Sequence, residues 1–315
     1  MLLNDFVKNV LSIIKSRYEG KADVKTNEVL KNNGVKLTGV TIKEEGVNIS
    51  PTIYIDEFYE DYESGRKSPE DIASEIINIY NSAKSSKSID IDFFNSYEKV
   101  RKMLFAKLIN FESNKLLLQD VPYEKFLDLA IVPYCLLNTK EIGNEPLRAS
   151  ILIHNPHIEQ WKIDRETVIR DAMANTRRKS GSLIIGMNKL MDSLMDGLMD
   201  GLMEENEEGS GQDMSQLEEE DSMFVMTNKM KLNGAISMTD LDALGRFSKS
   251  IKKDLFIIPS SIHEVLLLPT ESPKDLESLN EMVISVNKNE LLQEEILSDH
   301  VYYFAKEGGY ISLKQ

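Results

Sequence analysis

Four residues that could do hydrolytic chemistry lie together in the segment "IPSSIHEVLLLP", and a fifth follows in "LSDHVYYF". Ser260 and Ser261 are possible nucleophiles, His263 and His300 possible bases, and Glu264 an acid that could orient an imidazole. Hydrolases normally bring such groups together from separate loops, and no G-x-S-x-G sequence surrounds either serine. We therefore prefer a structural corner between two strands, where these side chains satisfy backbone groups, and keep a hydrolase-like pocket as the alternative.

The other two histidines, His154 and His157, form an H-x-x-H pair after a predicted strand. A zinc site would need further ligands, but no Cys is nearby and there is no H-E-x-x-H sequence. A turn histidine followed by a helix-start residue is the preferred interpretation. Phosphate-loop and dinucleotide-binding glycine patterns are also missing from the sequence. We therefore predict no metal site and no cofactor.

Cys135 is the one cysteine, so the chain cannot form an internal disulfide. It lies in the apolar run "LDLAIVPYCLL", which predicts a buried, inert thiol. The first residues, "MLLNDFVKNVLSIIK", have apolar groups at helical spacing, but Asp5 and Lys8 interrupt them. We interpret this stretch as a docking helix rather than a leader. No apolar run approaches the ~18 residues of a membrane span, so we expect a cytoplasmic protein without membrane contact.

The acidity of the chain is concentrated in one segment. The formal net charge is −15, from 52 Asp and Glu against 37 Lys and Arg. Between Lys189 and Lys229 there is no basic residue, but there are twelve acids: Asp192, Asp196, Asp200, Glu204, Glu205, Glu207, Glu208, Asp213, Glu218, Glu219, Glu220 and Asp221. Without these twelve, 40 acids remain against 37 bases, so the rest of the chain is nearly neutral. Mimicry of nucleic acid would need carboxylates spread over a structured face, so it is only a second alternative. We expect no direct binding of nucleic acid.

A repeat, "LMDSLMDGLMDGLMEENEEGSGQ", opens this acidic segment at residues 190–212. A four-residue repeat drifts by about 40° per repeat around a helix, so its apolar and acidic stripes begin to overlap. The four-residue spacing of the acids does not match a calcium loop, and an anionic helix is not attracted to bilayer surfaces. Two interpretations remain open. We prefer a repeat at the head of a disordered acidic linker over a Met-rich helix that docks on its own body or on a partner.

Hydrophobic periodicity assigns residues 1–180 to an N-terminal α+β domain. Helices are expected at the N-terminus, in 68–84 after the N-cap Ser68, at about 92–102, and in 164–178 after the N-cap Asp164. The expected strands are "VKLTGVTIK", "GVNISPTIYID", "MLFAKLINF", "FLDLAIVPYCLL" and "RASILIH", the first two as a hairpin.

Residues 181–221 are expected to form the linker, and residues 222–315 a C-terminal α+β domain. Its expected elements are the strand "SMFVMTNK", the helix "MTDLDALGRFSKSIK", the strands "DLFIIP" and "EVLLLP", the helix "SPKDLESLNEMVISVN", and the hairpin "HVYYFAKEGGYISL". The predicted fold class is therefore α+β, with two mixed helix/antiparallel-sheet lobes joined by an acidic low-complexity linker.

Several of these segments together resemble an uncharacterised bacterial family, domain of unknown function 5688. The matching features are "FLDLAIVPY", the helix ending "DAMANT", "FVMTN" followed by "GA", and "IPSSIHEVLLLP" with "LSDHVYYF" downstream. The most specific part is "PSSIHEV", and the resemblance extends over nearly the whole chain. The Leu-Met-acid repeat departs from the pattern and looks like an insertion. The resemblance implies no assigned activity, cofactor or catalytic residue.

The sequence favours a cytosolic, non-enzymatic protein that binds another macromolecule, with a protein as the expected partner. This expectation follows from the lack of a competent active site and from the tethered acidic, Met-rich segment. The main basic cluster, "TRRK" at 176–179, is expected to be a solvated helix end. A contact with the acidic segment, or a weak anion site, is the alternative for that cluster.

Overall fold

The computed structural model describes residues 3–45, 50–83, 92–138, 148–195, 222–271 and 276–313. The chain forms two compact units, one of Met1–Asn95 with Asn138–Ala149 and one of Ser96–Leu137 with Ser150–Gln315. Both combine helices with antiparallel sheet, which confirms the predicted α+β class. Most of the expected acidic linker, residues 196–221, lies outside the described residues.

The first unit contains a three-stranded antiparallel sheet and two long helices. Its elements are α1 (Leu3–Tyr18), β1 (Ala22–Leu30), β2 (Lys36–Glu44), β3 (Thr52–Tyr54), α2 (Tyr59–Glu63) and α3 (Pro69–Ala83). The strand order is β1-β2-β3. The apolar stripe of α1, with Phe6, Val10 and Ile14, is buried in a core shared with Ile72 and Ile76 of α3. The predicted N-cap of α3 is present, since Ser68 Oγ accepts the amide of Asp71 at 3.2 Å.

The remaining elements follow along the chain. They are α4 (Tyr97–Val100), β4 (Leu104–Asn110), β5 (Glu124–Phe126), β6 (Leu129–Asn138), β7 (Arg148–Leu152), α5 (Asn155–Trp161), α6 (Arg165–Lys179), β8 (Leu183–Gly186), α7 (Met187–Met195), β9 (Phe224–Thr227), α8 (Leu241–Ile251), β10 (Asp254–Pro259), β11 (Val265–Thr270), α9 (Leu276–Asn289), β12 (Tyr302–Ala305) and β13 (Tyr310–Leu313). They form a six-stranded antiparallel sheet in the order β13-β12-β10-β11-β9-β8 and a smaller sheet in the order β4-β6-β5, with β7 also paired to β6.

Three helices of the second unit are fixed to these sheets by specific contacts. Helix α6 is tied to β4, because the Thr176 hydroxyl accepts the amide of Ala106 at 2.8 Å. Helix α8 packs through Phe247, whose ring meets Phe224 of β9 edge-on at 4.9 Å. Helix α9 packs Val283 into a cluster with Phe256, Val301 and Tyr303. Among the described residues, no helix combines the length and the apolar character that crossing a bilayer requires.

The two units do not coincide with the predicted domains 1–180 and 222–315. The chain divides near residue 95, and the elements from α4 to α6 belong with the C-terminal sheet. The physical reason is a shared core, in which Phe105, Tyr134 and Leu136 pack against Met230 and Leu232. Sequence periodicity located these strands but could not show which other apolar surface covers them.

Two elements lie at the beginning of the predicted linker 181–221. Strand β8 pairs with β9 from Leu183 with Thr227 to Gly186 with Phe224, and α7 follows directly. The start of the Leu-Met-acid repeat is therefore helical, as far as Met195. The predicted helix at about 92–102 is also interrupted: a 3-10 turn precedes the four residues of α4 and another follows them.

Candidate functional site

The turn Ser260–Glu264 joins β10 to β11 and carries four of the five candidate residues. It is closed by a backbone hydrogen bond from the amide of Ser261 to the carbonyl of Glu264, 3.2 Å long. The amide of Ile262 donates to the carbonyl of Glu295 at 3.0 Å, which attaches the turn to the segment before β12. The predicted strand–turn–strand corner is therefore present, and its backbone is fixed from two sides.

Both serine hydroxyls of this turn are directed at a carboxylate rather than at an imidazole. Ser260 Oγ donates to Glu264 Oε1 at 3.2 Å, and Ser261 Oγ donates to the same oxygen at 2.9 Å. The hydroxyl of Ser261, a buried residue, also accepts the backbone amide of His263 at 3.0 Å. Such bonds stabilise a turn by satisfying local backbone and side-chain groups. They do not reproduce the serine–histidine contact of an activated nucleophile.

The imidazole of His263 is engaged by the backbone of another segment. Its Nδ1 accepts the amide of Asn233, a buried residue in the left-handed conformation, at 3.1 Å. A ring nitrogen that accepts a hydrogen bond carries no proton, so the neutral ring is protonated on Nε2. The carbonyl of His263 accepts the hydroxyl of Thr227 in β9 at 2.8 Å. His263 thus links its own turn to two earlier segments of the second unit.

The fifth candidate, His300, contacts a different set of residues. Its Nδ1 lies 3.3 Å from Asp128 Oδ2, its amide donates to Ser298 Oγ at 3.0 Å, and its side chain is 54% exposed. These contacts do not connect His300 to the turn that carries Ser260 and His263. The five candidates are therefore divided between two hydrogen-bonded groups.

The second group is centred on Asp128, which the sequence did not single out. Its carboxylate accepts the hydroxyl of Ser298 at 2.6 Å and that of Tyr302 at 2.7 Å. Tyr302 is fully buried, and burial together with the Asp128 charge raises the pKa of its phenol well above the ordinary value. The one sequence signal for this network is an acid inside the apolar run "FLDLAIVPY". The carboxylate fastens the turn before β6 to the segment that leads into β12.

The H-x-x-H pair occurs at the start of α5. The amide of His154 donates to Nδ1 of His157 at 3.0 Å, and His154 Nδ1 lies 2.7 Å from Asp120 Oδ2. Burial is the main cause, and His154 a second one, of a lowered imidazole pKa at His157, which Asp120 partly opposes. The two histidines thus occupy the turn and the helix start that the sequence predicted.

Metal binding and thiol chemistry are both disfavoured in the described part of the chain. In it, no group of three or more His, Cys, Asp or Glu side chains is arranged to hold a metal ion. Cys135 is fully buried, and burial raises the pKa of its thiol to about 12. At neutral pH the reactive thiolate is therefore strongly disfavoured at this position.

Comparison with known proteins agrees with the resemblance seen in the sequence. Neither the curated proteins nor the solved structures gave a match to this chain. One family model matches residues 3–306, which includes both units and both hydrogen-bonded groups described above. The chain therefore belongs to the family of unknown function DUF5688.

Proposed function

We propose that this protein acts in the cytosol by binding another protein, and that the turn Ser260–Glu264 has a structural role. The observation that carries the proposal is an exposed apolar surface on and just after α9. Its main members are Met282 and Val286, which are four residues apart on the same side of the helix and are 58% and 43% exposed. Ile284, on the other border of the helix, and Leu292, after it, are 50% and 65% exposed. Apolar groups clustered on one exposed element are typical of protein interaction sites, whereas single exposed apolar residues need no explanation.

The geometry of α9 explains why this surface is left uncovered. Val283 and Asn287, four residues apart, define the buried face of the helix. Met282 and Val286 lie along one border of that face, and Ile284 lies along the other, because successive residues turn by about 100°. The apolar surface of α9 is therefore wider than the part that packs on the sheet.

Charge around the surface indicates the kind of partner that fits it. Glu277, Glu281 and Glu290 are exposed on or directly after α9, and Lys288 is the one basic residue of the helix. A partner segment with an apolar face bordered by Lys or Arg complements this arrangement. We therefore expect an amphipathic, basic-edged segment of another protein as the ligand.

The proposal is tested by capture from native lysate with the tagged full-length chain. The double variant M282E/V286E should lose the captured partner, because two buried carboxylates at the contact would be left without water. The control variant is Leu116→Glu, since Leu116 is also 58% exposed and lies on a different element. Equal capture by wild type and M282E/V286E, or equal loss with L116E, would contradict the proposal.

The hydrolase alternative makes a separate prediction. If Ser260 or Ser261 is a nucleophile, a fluorophosphonate probe should label the folded protein, and labelling should disappear in the matching Ser→Ala variant. We expect no labelling, because both hydroxyls donate to Glu264 and Nδ1 of His263 is occupied by a backbone amide. Labelling at either serine would overturn the structural assignment of this turn.

A further inference from the structure

A cleft of about 450 Å³ lies between α4 with its following 3-10 turn and the last two turns of α6. It is lined by Glu98, Arg101, Lys102, Asp171, Ala174, Asn175 and Arg178. The volume is in the range of sites that bind small molecules. The cleft includes part of the "TRRK" cluster, and all of its lining residues belong to the second unit. It is formed by elements other than α9, so it is independent of the proposed protein-binding surface.

The walls of this cleft are held in place by one buried side chain. Asn175 Nδ2 donates to the carbonyls of Arg101 and Leu104 at 2.5 and 3.0 Å, which fastens the 3-10 turn to α6. Asn175 Oδ1 accepts from the guanidinium of Arg178 at 3.0 Å. The Nζ of Lys179 also donates to the carbonyl of Lys102. A site whose groups are already positioned loses less entropy when a ligand binds.

The cations of the cleft are only partly neutralised. Arg101 lies 3.5 Å from both Asp171 and Glu98, and the Asp171 carboxylate also accepts the hydroxyl of Tyr97 at 2.9 Å. Lys102 and Arg178 have no carboxylate within ion-pair distance in the described part of the chain. Two cations that have no acidic partner among the described residues face the same cleft, although the whole chain has a net charge of −15.

The environment of the neighbouring lysine is consistent with this excess of positive charge. Burial, and then the charge of Arg178, lower the pKa of Lys179 below the ordinary lysine value. Both effects disfavour the ammonium form. An anion bound beside Arg178 would offset the second effect, because an opposite charge nearby favours the charged form.

We propose that this cleft binds the phosphate group of a small phosphorylated molecule that also carries hydroxyl groups, such as a sugar phosphate. The planar guanidinium of Arg178 donates two parallel hydrogen bonds to phosphate oxygens, and Lys102 adds a point charge. Glu98, on the cleft wall, accepts hydrogen bonds from ligand hydroxyls. Its charge, together with that of Asp171, disfavours an extended polyanion such as a nucleic acid strand, because like charges would face each other.

Calorimetric titration of the full-length protein tests the proposal, with inorganic phosphate, ribose 5-phosphate and ribose as probes. Ribose 5-phosphate should bind more tightly than inorganic phosphate, and ribose alone should not bind measurably. The variant K102Q/R178Q should weaken the binding of ribose 5-phosphate by on the order of 100-fold, since it removes two charge-assisted contacts. Both side chains are exposed, so this variant should fold normally.

A second cleft in the same unit provides the matched control. It has a volume of about 570 Å³ and is also lined by cations, including Arg246 and Lys249. The variant R246Q/K249Q removes the same total charge and should leave the affinity for ribose 5-phosphate within about twofold, because distant exposed charges are screened by salt. Equal weakening by the two double variants would overturn the proposal, as would no binding of either phosphate probe at millimolar concentration.

Discussion

At the scale of single residues, Gly234 shows how closely the segments around the candidate turn approach one another. A Cβ atom at this position would lie against Thr227 Oγ1 and the carbonyl of His263, and 2.9 Å from the amide nitrogen of Asn228. Two of these atoms belong to the backbone and cannot rotate away. The hydrogen bond between Thr227 and His263 depends on this close approach.

We therefore predict that Gly234→Ala destabilises the protein by about 2–3 kcal/mol, because overpacking forces the backbone apart. The control is Gly245→Ala in α8, where an added Cβ has no neighbour within 4 Å. That change should stabilise the protein by about 0.5–1 kcal/mol, since alanine is the better helix former. Urea unfolding measures both values, and similar midpoints for the two variants would contradict the predicted packing.

The two histidines of the candidate set should differ in their contribution to stability. His263→Ala leaves the buried amide of Asn233 without its acceptor, which should cost about 1–3 kcal/mol. His300→Ala should cost less than about 1 kcal/mol, because the imidazole is 54% exposed and its contact with Asp128 is long. Denaturant titration of both variants is the measurement. A larger loss in H300A than in H263A would show that the two roles have been misassigned.

The sequence identified the correct residues for this turn but not their partners. Ser260, Ser261, His263 and Glu264 were recognised by type and proximity, and the corner between two apolar strands follows from local pattern alone. Asn233 and Thr227 could not be found in this way, because they lie 30 and 36 residues earlier and meet His263 only through the tertiary fold. Asp128 was missed for the same reason, since Ser298 and Tyr302 are about 170 residues away.

At the scale of elements, the start of α5 should make stability depend on pH. Burial and the neighbouring His154 lower the pKa of His157, and the hydrogen bond that its Nδ1 accepts from the amide of His154 also favours the neutral imidazole. Above the ordinary histidine pKa of about 6.5, His157 is mostly neutral in both the folded and the unfolded chain, so its lowered pKa does not reduce the stability of the protein there. Stability is lost as the pH falls below that value, because the unfolded chain then binds the proton more strongly.

We predict that lowering the pH from about 7.5 to about 5.5, through that ordinary pKa, decreases the free energy of unfolding of the wild type more than that of His157→Gln. Glutamine keeps an acceptor for the amide of His154 but does not titrate in this range. Chemical denaturation at several pH values gives the difference directly. A difference that stays constant across the range would refute the role assigned to His157.

Elements with strong periodicity were predicted well, and elements that depend on pairing were not. Helices α3, α6 and α8 begin at or next to residues with recognisable caps, such as Asp164, which accepts the amide of Thr167 at 2.6 Å. Strand β1 was missed because its side chains are mostly exposed, with Val24 as its one buried residue. Backbone pairing with β2, rather than a hydrophobic pattern, makes it a strand.

At the scale of the whole molecule, the connection between β8 and β9 contains 37 residues, from Met187 to Met223. Residues 196–221 within it carry eleven acids and no base, so their removal changes the formal net charge from −15 to −4. The paired residues of the two strands, Leu183–Gly186 and Phe224–Thr227, lie outside residues 196–221. The sequence prediction of an acidic linker can therefore be tested without altering either strand.

Replacing residues 196–221 by four Gly and Ser residues should leave the protein folded. The shorter connection, of about 15 residues, should increase stability by roughly 0.8 kcal/mol, because closing a shorter loop loses less chain entropy. Calorimetric melting gives the change in stability, and native electrophoresis verifies the change in charge. A fall of several degrees in melting temperature would show that the removed segment contributes to the folded core.

The pairing of β8 with β9 also bears on how this chain can change over generations. Leu183 pairs with Thr227 and Gly186 pairs with Phe224, and these pairs lie at the two ends of the connection. We therefore expect that duplication or loss of one Leu-Met-acid unit beyond α7 changes the number of repeats without changing the pairing between β8 and β9. We expect such a change of length in whole repeats to reach the rest of the protein mainly as a difference in charge.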